Sequence, residues 1–525
     1  MQQKFSLKVL PSEAANNDIV KKLLASAAGK KEEAISGFYI EKRSIDARGK
    51  TIWVNLIVHA FIDEPFQKRP LLQFDFKDVN KSLKKVIIIG AGPAGLFAAL
   101  QLLEKGIKPI ILERGKDVRA RRRDLAILNK DGIINSDSNY CFGEGGAGTY
   151  SDGKLYTRSN KRGDINHILN LFVHFGADEK ILYEAHPHIG TNKLPQIITN
   201  MRKLIVDRGG EFLFEKKVTD LIINNEKIES VKTIDGSTFE ADSIILATGH
   251  SARDIFELLH HKNILIEAKP FALGVRVEHP QNLIDTIQYH CTIREDNLPP
   301  ASYNLVQQIN NKGVFSFCMC PGGIIAPAAT TPGEIVVNGW SPSKRNNPFA
   351  NSGMVVQVEL NDIIKNEPIK NNLLAMMYFQ QHIEQRSFIA GGGNFIAPAQ
   401  RMVDFVNKKI SSSLLNSSYL PGLNSSQLNE VLPSFIYQPL ANAFIEFGKK
   451  MKGYFTNEAI VVATESRTSS PVRIPRDAIL LSHPQLKNLY PCGEGAGYAG
   501  GIVSAAMDGQ RVATQIAIKY DKIIF

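Results

Sequence analysis

The pattern of apolar and polar residues is clearest between positions 86 and 113. Four apolar β-branched residues at 86–89 precede a glycine-rich turn, and an apolar stretch of helical length follows the turn. A second apolar run at 109–112 ends on Glu113. Short runs that are apolar on both faces are typical of buried parallel strands. The pattern therefore predicts a strand over 86–89, a helix over about 93–105 and a strand over 109–112.

The glycines of this turn have the spacing G-x-G-x-x-G, which is the fingerprint of a dinucleotide-binding fold. Gly90 allows the tight turn, Gly92 lets the backbone approach a pyrophosphate, and Gly95 lets the helix pack close to the strand. The helix begins at Pro93 and Ala94, so the positive end of its dipole faces the phosphates.

An acid follows the glycines at the distance that the fingerprint requires, roughly 20 residues on. The Glu113 carboxylate is predicted to hold both hydroxyls of an adenosine ribose, and it would repel a ribose 2′-phosphate. The alternative is a glycine turn in some other α/β unit. The fingerprint alone does not separate FAD from NAD.

Two later segments bear on this choice. Residues 241–249 predict a strand ending in Thr248 and Gly249, and residues 486–511 predict a strand, a glycine loop and a final helix. Together with the fingerprint, these segments resemble FAD-containing oxidoreductases of the glutathione-reductase type. The resemblance implies non-covalent FAD, held at its ribityl and pyrophosphate groups by Glu494, where many relatives have Asp. The other residues that it implies around the cofactor are Gly493 before this acid and, beside the flavin pyrimidine ring, Ala499, Gly500, Gly501 and Ile502.

Six further stretches stand outside the cofactor motifs. They are FGEGGAGTYSDGKLYTR (142–158), HPHIGTN (186–192), FCMCPGG (317–323), NGWSPSKR (338–345), FANSGMVV (349–356) and TESRTSSPVRIPRD (464–477). These stretches resemble a family of bacterial flavoproteins, the NAD(FAD)-utilizing dehydrogenases. The resemblance implies an FAD-dependent dehydrogenase or reductase, and it supplies no substrate.

The positions of the motifs predict three domains. Residues 1–80 form a small N-terminal α+β domain, with strands at 4–10, 37–44 and 50–62 and a helix at 13–28, and it serves stability, docking or partner binding. Residues 84–267 and 455–525 form an α/β, Rossmann-like FAD-binding domain, after a linker at 63–83. Residues 268–454 form an inserted β-rich α+β domain that covers the substrate. Its predicted strands are 271–279, 303–309, 313–320, 334–340 and 354–360, and its predicted helices lie near 371–385 and 427–451.

Several basic and glycine residues are candidates for contacts with the cofactor or substrate. The glycine-dense loop 143–153 fits a backbone pressed against a flat ring or a pyrophosphate, and Gly145 and Gly146 are its candidate contacts. Lys154 and Arg467 are the catalytic or anion-binding candidates, with a surface lysine as the alternative for Lys154. After the ribose-binding acid, the candidates for the pyrophosphate are Arg114, Arg119 and Arg123, with a solvated basic helix face as the alternative.

Other polar residues are assigned structural roles. No acidic partner is evident for His186, His188 or His250, so a structural role is predicted for them. Cys318 and Cys320 alternate along a predicted strand, which places both sulfurs on one face. Small core residues are the preferred interpretation, with a metal or redox role as the alternative. Dithiol chemistry is disfavoured, because the sequence has no CxxxxC or CxxC pair near the predicted flavin site. No metal site is predicted, because no second pair of ligands is visible.

Composition bounds the remaining choices. An apolar fraction of 43% and a charged fraction of 22% are ordinary for a soluble protein, and no run of apolar residues has the length of a membrane span. Five cysteines and a start without a signal peptide favour the cytoplasm. No second fingerprint is present for a nicotinamide nucleotide, so NAD(P)H is predicted to bind only transiently.

Two classes of function remain. The first is an FAD-dependent oxidoreductase that transfers hydride or electrons between the flavin and a small organic substrate. The second is a flavoprotein that binds RNA or another macromolecule, suggested by the net charge of +10 and the added N-terminal domain. Because the basic residues are dispersed, a nucleic-acid partner is disfavoured. The oligomeric state is left open.

Overall fold

The coordinates are a computed structural model of the chain. The structure describes residues 1–157, 163–367 and 372–522. Position 158 of the stretch 142–158, position 371 of the predicted helix 371–385 and positions 523–525 of the predicted cofactor-binding domain lie outside the described residues.

The strands of the described residues are, in chain order, β1 (Gln2–Val9), β2 (Ile35–Asp46), β3 (Trp53–Ile62), β4 (Lys85–Ile89), β5 (Lys108–Leu112), β6 (Glu211–Leu213), β7 (Val218–Asn224), β8 (Lys227–Thr233), β9 (Thr238–Phe239), β10 (Ser243–Leu246), β11 (Glu267–Ala268), β12 (Phe271–Pro280), β13 (Val306–Ile309), β14 (Lys312–Cys320), β15 (Ile324–Pro327), β16 (Val337–Trp340), β17 (Phe349–Val358), β18 (Ala397–Arg401), β19 (Leu423–Ser425), β20 (Ile460–Glu465), β21 (Val472–Arg473) and β22 (Leu489–Pro491).

The α-helices of the same residues are, in chain order, α1 (Pro11–Ala14), α2 (Asn17–Ala28), α3 (Pro93–Glu104), α4 (Val118–Asp131), α5 (Ile165–His174), α6 (Leu194–Asp207), α7 (Arg253–His261), α8 (Gln281–Tyr289), α9 (Leu360–Asn366), α10 (Ala375–Ala390), α11 (Met402–Val406), α12 (Leu428–Val431), α13 (Ser434–Lys450) and α14 (Ile502–Lys522). No helix in the described ranges is both long enough and apolar enough to span a bilayer.

A five-stranded parallel sheet, in the order β22-β10-β4-β5-β6, carries the glycine fingerprint. The β4 and β5 strands pair in register, with Ile89 opposite Leu112, so the turn after β4 and the acid after β5 lie at the same edge. Helices α3 and α14 pack against each other on this sheet. A Cβ added to Gly509 would come within 2.1 Å of the Ala94 carbonyl oxygen, which shows how closely the two helix backbones approach.

A seven-stranded sheet, in the order β13-β14-β17-β12-β20-β18-β19, forms the second large layer. Helices α10 and α13 cover one face of it, and their apolar residues share a core with β12 and β17. The N-terminal residues form a separate antiparallel sheet, in the order β1-β3-β2, on which α2 packs. A further sheet is the antiparallel β7-β8-β9 meander that follows β6.

The expected domain boundary at residue 455 differs from the structure. Strand β20 pairs antiparallel with β12, with Glu278 opposite Ile460, and therefore belongs to the seven-stranded sheet. The chain rejoins the parallel sheet only at β22. All six residues of β20 are buried, as are those of a parallel strand, so local composition did not indicate which sheet it joins.

Other expected elements shift or divide. Predicted helix 13–28 is divided into α1 and α2, because the Asn16 side chain caps the second helix through the N–H groups of Asp18 and Ile19. Predicted helix 427–451 is likewise divided into α12 and α13, with Pro433 between them. The strand expected at 354–360 begins earlier, at Phe349. The linker 63–83 lacks regular structure, yet Phe74 and Phe76 pack against the core of the parallel-sheet domain.

Candidate functional site

A cavity of about 350 Å³ lies between the parallel sheet and the seven-stranded sheet. Three distant segments meet in its wall, namely the turn after β4, the end of β10 and the start of α14. Each segment lies at the carboxyl end of a parallel strand or just beyond it, which is where open α/β sheets bind their ligands. The glycine fingerprint and the C-terminal glycine loop therefore face the same space.

Most of the residues predicted from the sequence line this cavity. They are Gly90, Gly92, Pro93, Ala94, Glu113, Arg114, Gly146, Lys154, Thr248, Gly249, Arg467, Glu494, Gly500, Gly501 and Ile502. Gly95, Gly145, Gly493 and Ala499 are not part of the wall but are neighbours of residues that are. The structure does not bring Arg119 or Arg123 to the wall. Both are exposed on α4, and it is Arg121 between them that is buried.

The turn after β4 is fixed by close backbone packing. Gly90 has φ +103°, a left-handed conformation that favours glycine. A Cβ added to Gly95 would come within 2.0 Å of the Gly90 carbonyl oxygen, so this position admits only glycine. Gly92 is the N-cap of α3 with an ordinary φ of −75° and with the nearest atom 3.9 Å from an added Cβ. Gly92 therefore borders open space, whereas Gly95 is a packing residue.

The Glu113 carboxylate is buried among backbone donors. Its Oε2 accepts the N–H of Ala91 at 2.9 Å, and its Oε1 accepts the N–H groups of Gly115 at 2.8 Å and Gly143 at 3.0 Å. A carboxylate has about four lone-pair sites, so one remains for a ligand hydroxyl. The side chain thus joins the glycine turn, the end of β5 and the loop 143–153, in addition to lining the cavity.

The loop 143–153 folds against the glycine turn. The Gly145 N–H donates to the Ala91 carbonyl at 2.9 Å, and a Cβ added to Gly146 would lie 3.0 Å from the Gly92 Cα. The buried Glu144 carboxylate accepts the Val118 N–H and the Arg202 Nε–H, and its burial raises its pKa. The buried guanidinium of Arg121 donates to three backbone carbonyls and to the Thr149 hydroxyl.

The C-terminal loop is held by α14. Asp508 accepts the Gly493 N–H at 2.8 Å and also pairs with Arg476 at 2.6 Å. Glu494 faces the cavity, and burial raises its pKa to about 7, although Lys269 opposes this shift. Gly500 and Gly501 lie just before the first turn of α14, and a Cβ added to either would meet no atom within 4 Å. This end of the cavity is therefore bounded by backbone and by a helix N-terminus.

Arg467 lies in the wall, but its guanidinium is already engaged. It donates to Glu384 at 2.9 Å, to Glu334 at 3.3 Å and to the Thr330 hydroxyl at 2.8 Å. Arg253 pairs with the same two carboxylates. Burial would raise the pKa of Glu384, but the two arginines outweigh it and lower that pKa to about 2. The predicted anion contact is thus a member of a buried ion network.

Two of the histidines considered from the sequence, His250 and His188, lie in different surroundings in the structure. His250 lines the cavity, and its Nδ1 lies 2.7 Å from the Ser251 hydroxyl. Burial lowers its pKa to about 4, so the imidazole is neutral at pH 7. His188 lies beside Lys154 in a short antiparallel bridge, and burial lowers its pKa to about 4 as well.

Several wall residues were not singled out as site residues in the sequence. Among them are Asp152, Lys216, Lys217, Ser251, Asn338 and Thr468. Cys318 also lines the cavity, and the Lys154 ammonium lies 3.7 Å from its sulfur and 3.6 Å from the Cys320 sulfur. The family stretches 142–158, 317–323, 338–345 and 464–477 contain four of these seven residues, so the sequence indicated the segments but not the individual residues.

Protein-family models match several parts of the chain. They are described as "FAD-dependent protein, C-terminal domain-like" over residues 270–468, "FAD binding domain" over residues 84–127 and "Glucose inhibited division protein A" over residues 197–279. Residues 1–61 match a domain of unknown function. The first of these models ends after β20, in agreement with the sheet to which that strand belongs.

One relative covers nearly the whole chain. An "Uncharacterized protein" of Clostridium beijerinckii is 40% identical over 524 residues, which are 96% of this chain and 96% of that protein. A thiamine thiazole synthase of Aeropyrum pernix is 24% identical over 37% of this chain and 66% of its own length.

Solved structures that align with the chain do so at low scores. Tetracycline destructase Tet(51) aligns at 13% identity and a TM-score of 0.35, over 84% of this chain and 82% of that one. The 2,6-dihydroxypyridine-3-hydroxylase of Arthrobacter nicotinovorans aligns at 9% identity and a TM-score of 0.36, over 84% of each chain. The family assignment rests on the full-length relative and on the family models.

Proposed function

This chain belongs to a family of FAD-dependent proteins that includes the full-length Clostridium beijerinckii relative, and we propose that it is an oxidoreductase of a small organic substrate. One observation carries the proposal. The start of α3 and the start of α14 open into one cavity, with the end of β10 between them. An elongated dinucleotide has an anionic pyrophosphate and a ring system that becomes anionic on reduction, and a helix N-terminus suits each.

The residues of the wall fit FAD. Gly92 and the unpaired N–H groups of the first turn of α3 would hold the pyrophosphate. Glu113 has one lone-pair site left for an adenosine ribose hydroxyl, and its charge disfavours a 2′-phosphate. Gly249, Gly500 and Gly501 line the cavity with no atom within 4 Å of an added Cβ, so they leave room for a flat ring.

The remaining wall would orient the substrate. When bound, FAD supplies hydride or electron transfer, and the protein supplies binding and orientation. The residues of the insert that line the cavity are Phe317, Cys318 and Asn338. His250 is uncharged at pH 7 because its pKa is about 4, so it can accept or donate a hydrogen bond without adding charge.

The second nucleotide, NADH or NADPH, would act as a transient reductant. The described parallel sheet carries a single glycine fingerprint, after β4, and that turn already serves the pyrophosphate in this proposal. A nicotinamide would therefore reach the flavin through the substrate side of the cavity, between the insert and α14.

Flavin content and flavin reduction test the proposal. The purified chain is expected to be yellow and to release FAD on heat denaturation, identified by chromatography against FMN and FAD. Under anaerobic conditions, NADH, NADPH and a panel of small metabolites are then mixed with the holoprotein, and loss of the visible flavin absorbance is followed. A chain that remains colourless and fails to bind added FAD would contradict the proposal.

A further inference from the structure

Cys318 and Cys320 lie where the insert meets the cavity. Cys318 lines the cavity, whereas Cys320 is fully buried behind it. The Lys154 ammonium lies 3.7 Å from the first sulfur and 3.6 Å from the second, and the Cys320 thiol donates to the Cys318 carbonyl oxygen at 3.2 Å. The Lys154 ammonium therefore lies close to two sulfurs, and the residue that carries one of them, Cys318, lines the cavity.

The backbone of β14 departs from a regular strand at this point. Phe317 lies opposite Gly353 and Cys320 opposite Asn351, so the register is broken between them by a bulge. Cys318 itself has φ +47°, in the left-handed region that a cysteine rarely adopts. Residues two apart in a regular strand are separated by about 6.7 Å, at the upper limit for a disulfide, and a bulge shortens that span.

Other residues fix this arrangement. The bridge between Lys154 and His188 holds the lysine backbone, and Asp152 pairs with its ammonium at 3.3 Å. On the other side, the buried Arg276 donates to the Cys318 carbonyl at 3.4 Å and pairs with Glu465 at 2.6 Å. The lysine and the bulge are thus positioned from two separate elements.

Charges around the sulfurs favour a thiolate at Cys318. The neighbouring Cys320 thiol, Lys154 and Arg276 lower the pKa of the Cys318 thiol against the effect of burial. The other ionisable groups facing the cluster include Asp152, Glu465 and Glu494, whose negative charges oppose a thiolate, and Tyr303 lies near Cys320. Arg345 and His188 lie behind Asp152.

The thiol of Cys492, which is also in the cavity wall, differs from that of Cys318. Burial and the charge of Asp508 raise the pKa of the Cys492 thiol.

We propose that Cys318 and Cys320 form a redox-active dithiol–disulfide pair that exchanges two electrons with the bound flavin, with Lys154 as the residue that positions and charges the Cys318 sulfur. The inference rests on the proposed function, because oxidised FAD is the electron acceptor. In the oxidative direction the Cys318 thiolate and the Cys320 thiol form one S–S bond, and the S–H bond of Cys320 breaks. Two electrons and that proton pass to FAD, which becomes the anionic reduced flavin. Cys318 faces the flavin side, and Cys320 is the buried resolving thiol.

Alkylation and mass spectrometry of the holoprotein test the pair directly. The protein is equilibrated in glutathione buffers from reducing to oxidising, quenched with iodoacetamide and digested. The peptide with Cys318 and Cys320 is expected to pass from doubly alkylated to unalkylated with the loss of two hydrogens, in a single two-electron transition. The Cys141→Ser variant, which alters another cysteine of the cavity wall, is expected to retain this transition. Double alkylation across the whole series would overturn the inference.

Electron exchange with the flavin needs a second readout. The holoprotein with both cysteines reduced and its FAD oxidised is held under anaerobic conditions, and the visible flavin absorbance is followed. The absorbance is expected to fall in proportion to the amount of Cys318–Cys320 disulfide found by mass spectrometry. In Cys320→Ser both signals are expected to be lost, while FAD content is kept. If FAD is bound but no disulfide accompanies the loss of flavin absorbance, the dithiol proposal is wrong and the proposed function is unaffected. If no FAD binds, the proposed function fails, and the glutathione titration still reports on the cysteines.

The positioning role of Lys154 is tested by a pH profile. The rate of Cys318 alkylation against pH gives the apparent pKa of its thiol. Lys154→Gln is expected to raise that pKa and to slow alkylation by about tenfold at a pH below it. Lys154→Arg keeps the charge and is expected to restore most of the shift. An unchanged profile in Lys154→Gln would overturn the role of the lysine.

Discussion

The Glu113 carboxylate accepts the Ala91 N–H at 2.9 Å, and this bond joins the acid at the end of β5 to the glycine turn after β4. The same side chain accepts the N–H groups of Gly115 and Gly143. Three backbone donors therefore depend on one buried carboxylate. The acid that the fingerprint assigns to a ribose also holds the wall of the cavity together.

The Glu113→Ala substitution should lower both stability and flavin retention. It leaves three N–H groups without their acceptor, and each such group costs about 1–3 kcal/mol when it remains buried. We expect the free energy of unfolding, measured by urea denaturation, to fall by about 2 kcal/mol or more. Glu211→Ala is the control, since its partly exposed carboxylate on β6 only pairs with Lys108. Unchanged stability and unchanged FAD affinity would contradict the assignment.

Two glycines of the fingerprint should respond differently. Gly92→Val has room in the fold, because φ is −75° and the nearest atom to an added Cβ is 3.9 Å away, but its side chain would compete with the pyrophosphate. We expect a folded protein whose FAD affinity falls by about tenfold or more. Gly95→Ala places a Cβ 2.0 Å from the Gly90 carbonyl oxygen and should lower the melting temperature instead. Circular dichroism melts and flavin titration separate the two effects, and normal flavin content in folded Gly92→Val would rule out the pyrophosphate assignment.

Arg467→Ala should act first on stability. Removing this guanidinium leaves Glu384 and Glu334 with only Arg253 as a cationic partner, and breaking a buried ion pair costs about 3–5 kcal/mol. Arg473→Ala is the matched control, because Arg473 is half-exposed and lies 3.9 Å from Glu267. Urea denaturation of both variants measures the difference. Full stability combined with lost substrate binding would instead favour a direct anion contact.

Glu494 should make the stability of the flavin-free protein depend on pH. Its pKa is raised by burial from the ordinary 4.5 to about 7, so the folded state favours the protonated acid. The free energy of unfolding is therefore expected to fall as pH rises from about 4.5 to 7, because the unfolded chain loses its proton first. Glu494→Gln should flatten this part of the profile, with a gain of about 1–3 kcal/mol at pH 8. Identical profiles for both proteins would show that the acid is not held protonated.

The local patterns sufficed for the cofactor half of the molecule. Strand 86–89, the helix from 93 and strand 109–112 agree with β4, α3 and β5 to within a few residues. Here each strand is apolar on both faces and each turn has its own glycine, so local sequence and global fold agree. Gly92, named from the spacing of the fingerprint, and Gly501, implied by the family resemblance, line one cavity.

Local sequence patterns did not predict which distant strands pair with each other or which helix face is buried. The all-buried strand β20 pairs with β12, almost two hundred positions earlier, and its pattern is the same in either sheet. Arg119 and Arg123 have the residue type expected at a pyrophosphate, yet the rotation of α4 turns them to solvent and Arg121 inward. Two residues along a helix rotate the side chain by about 200°, to nearly the opposite face, and packing determines which face is buried.

The sequence by itself determined the dinucleotide turn and its acid, because these depend on backbone conformations that glycine allows and on spacings within one βαβ unit. The C-terminal glycine loop was identified only by resemblance to a known family. Tertiary structure alone decided that Lys154 meets Cys318 and Cys320, and that Arg467 is neutralised by Glu334 and Glu384. The physical reason is that a side chain's charge and reactivity depend on what other segments place within a few ångströms of it. No local pattern records that proximity.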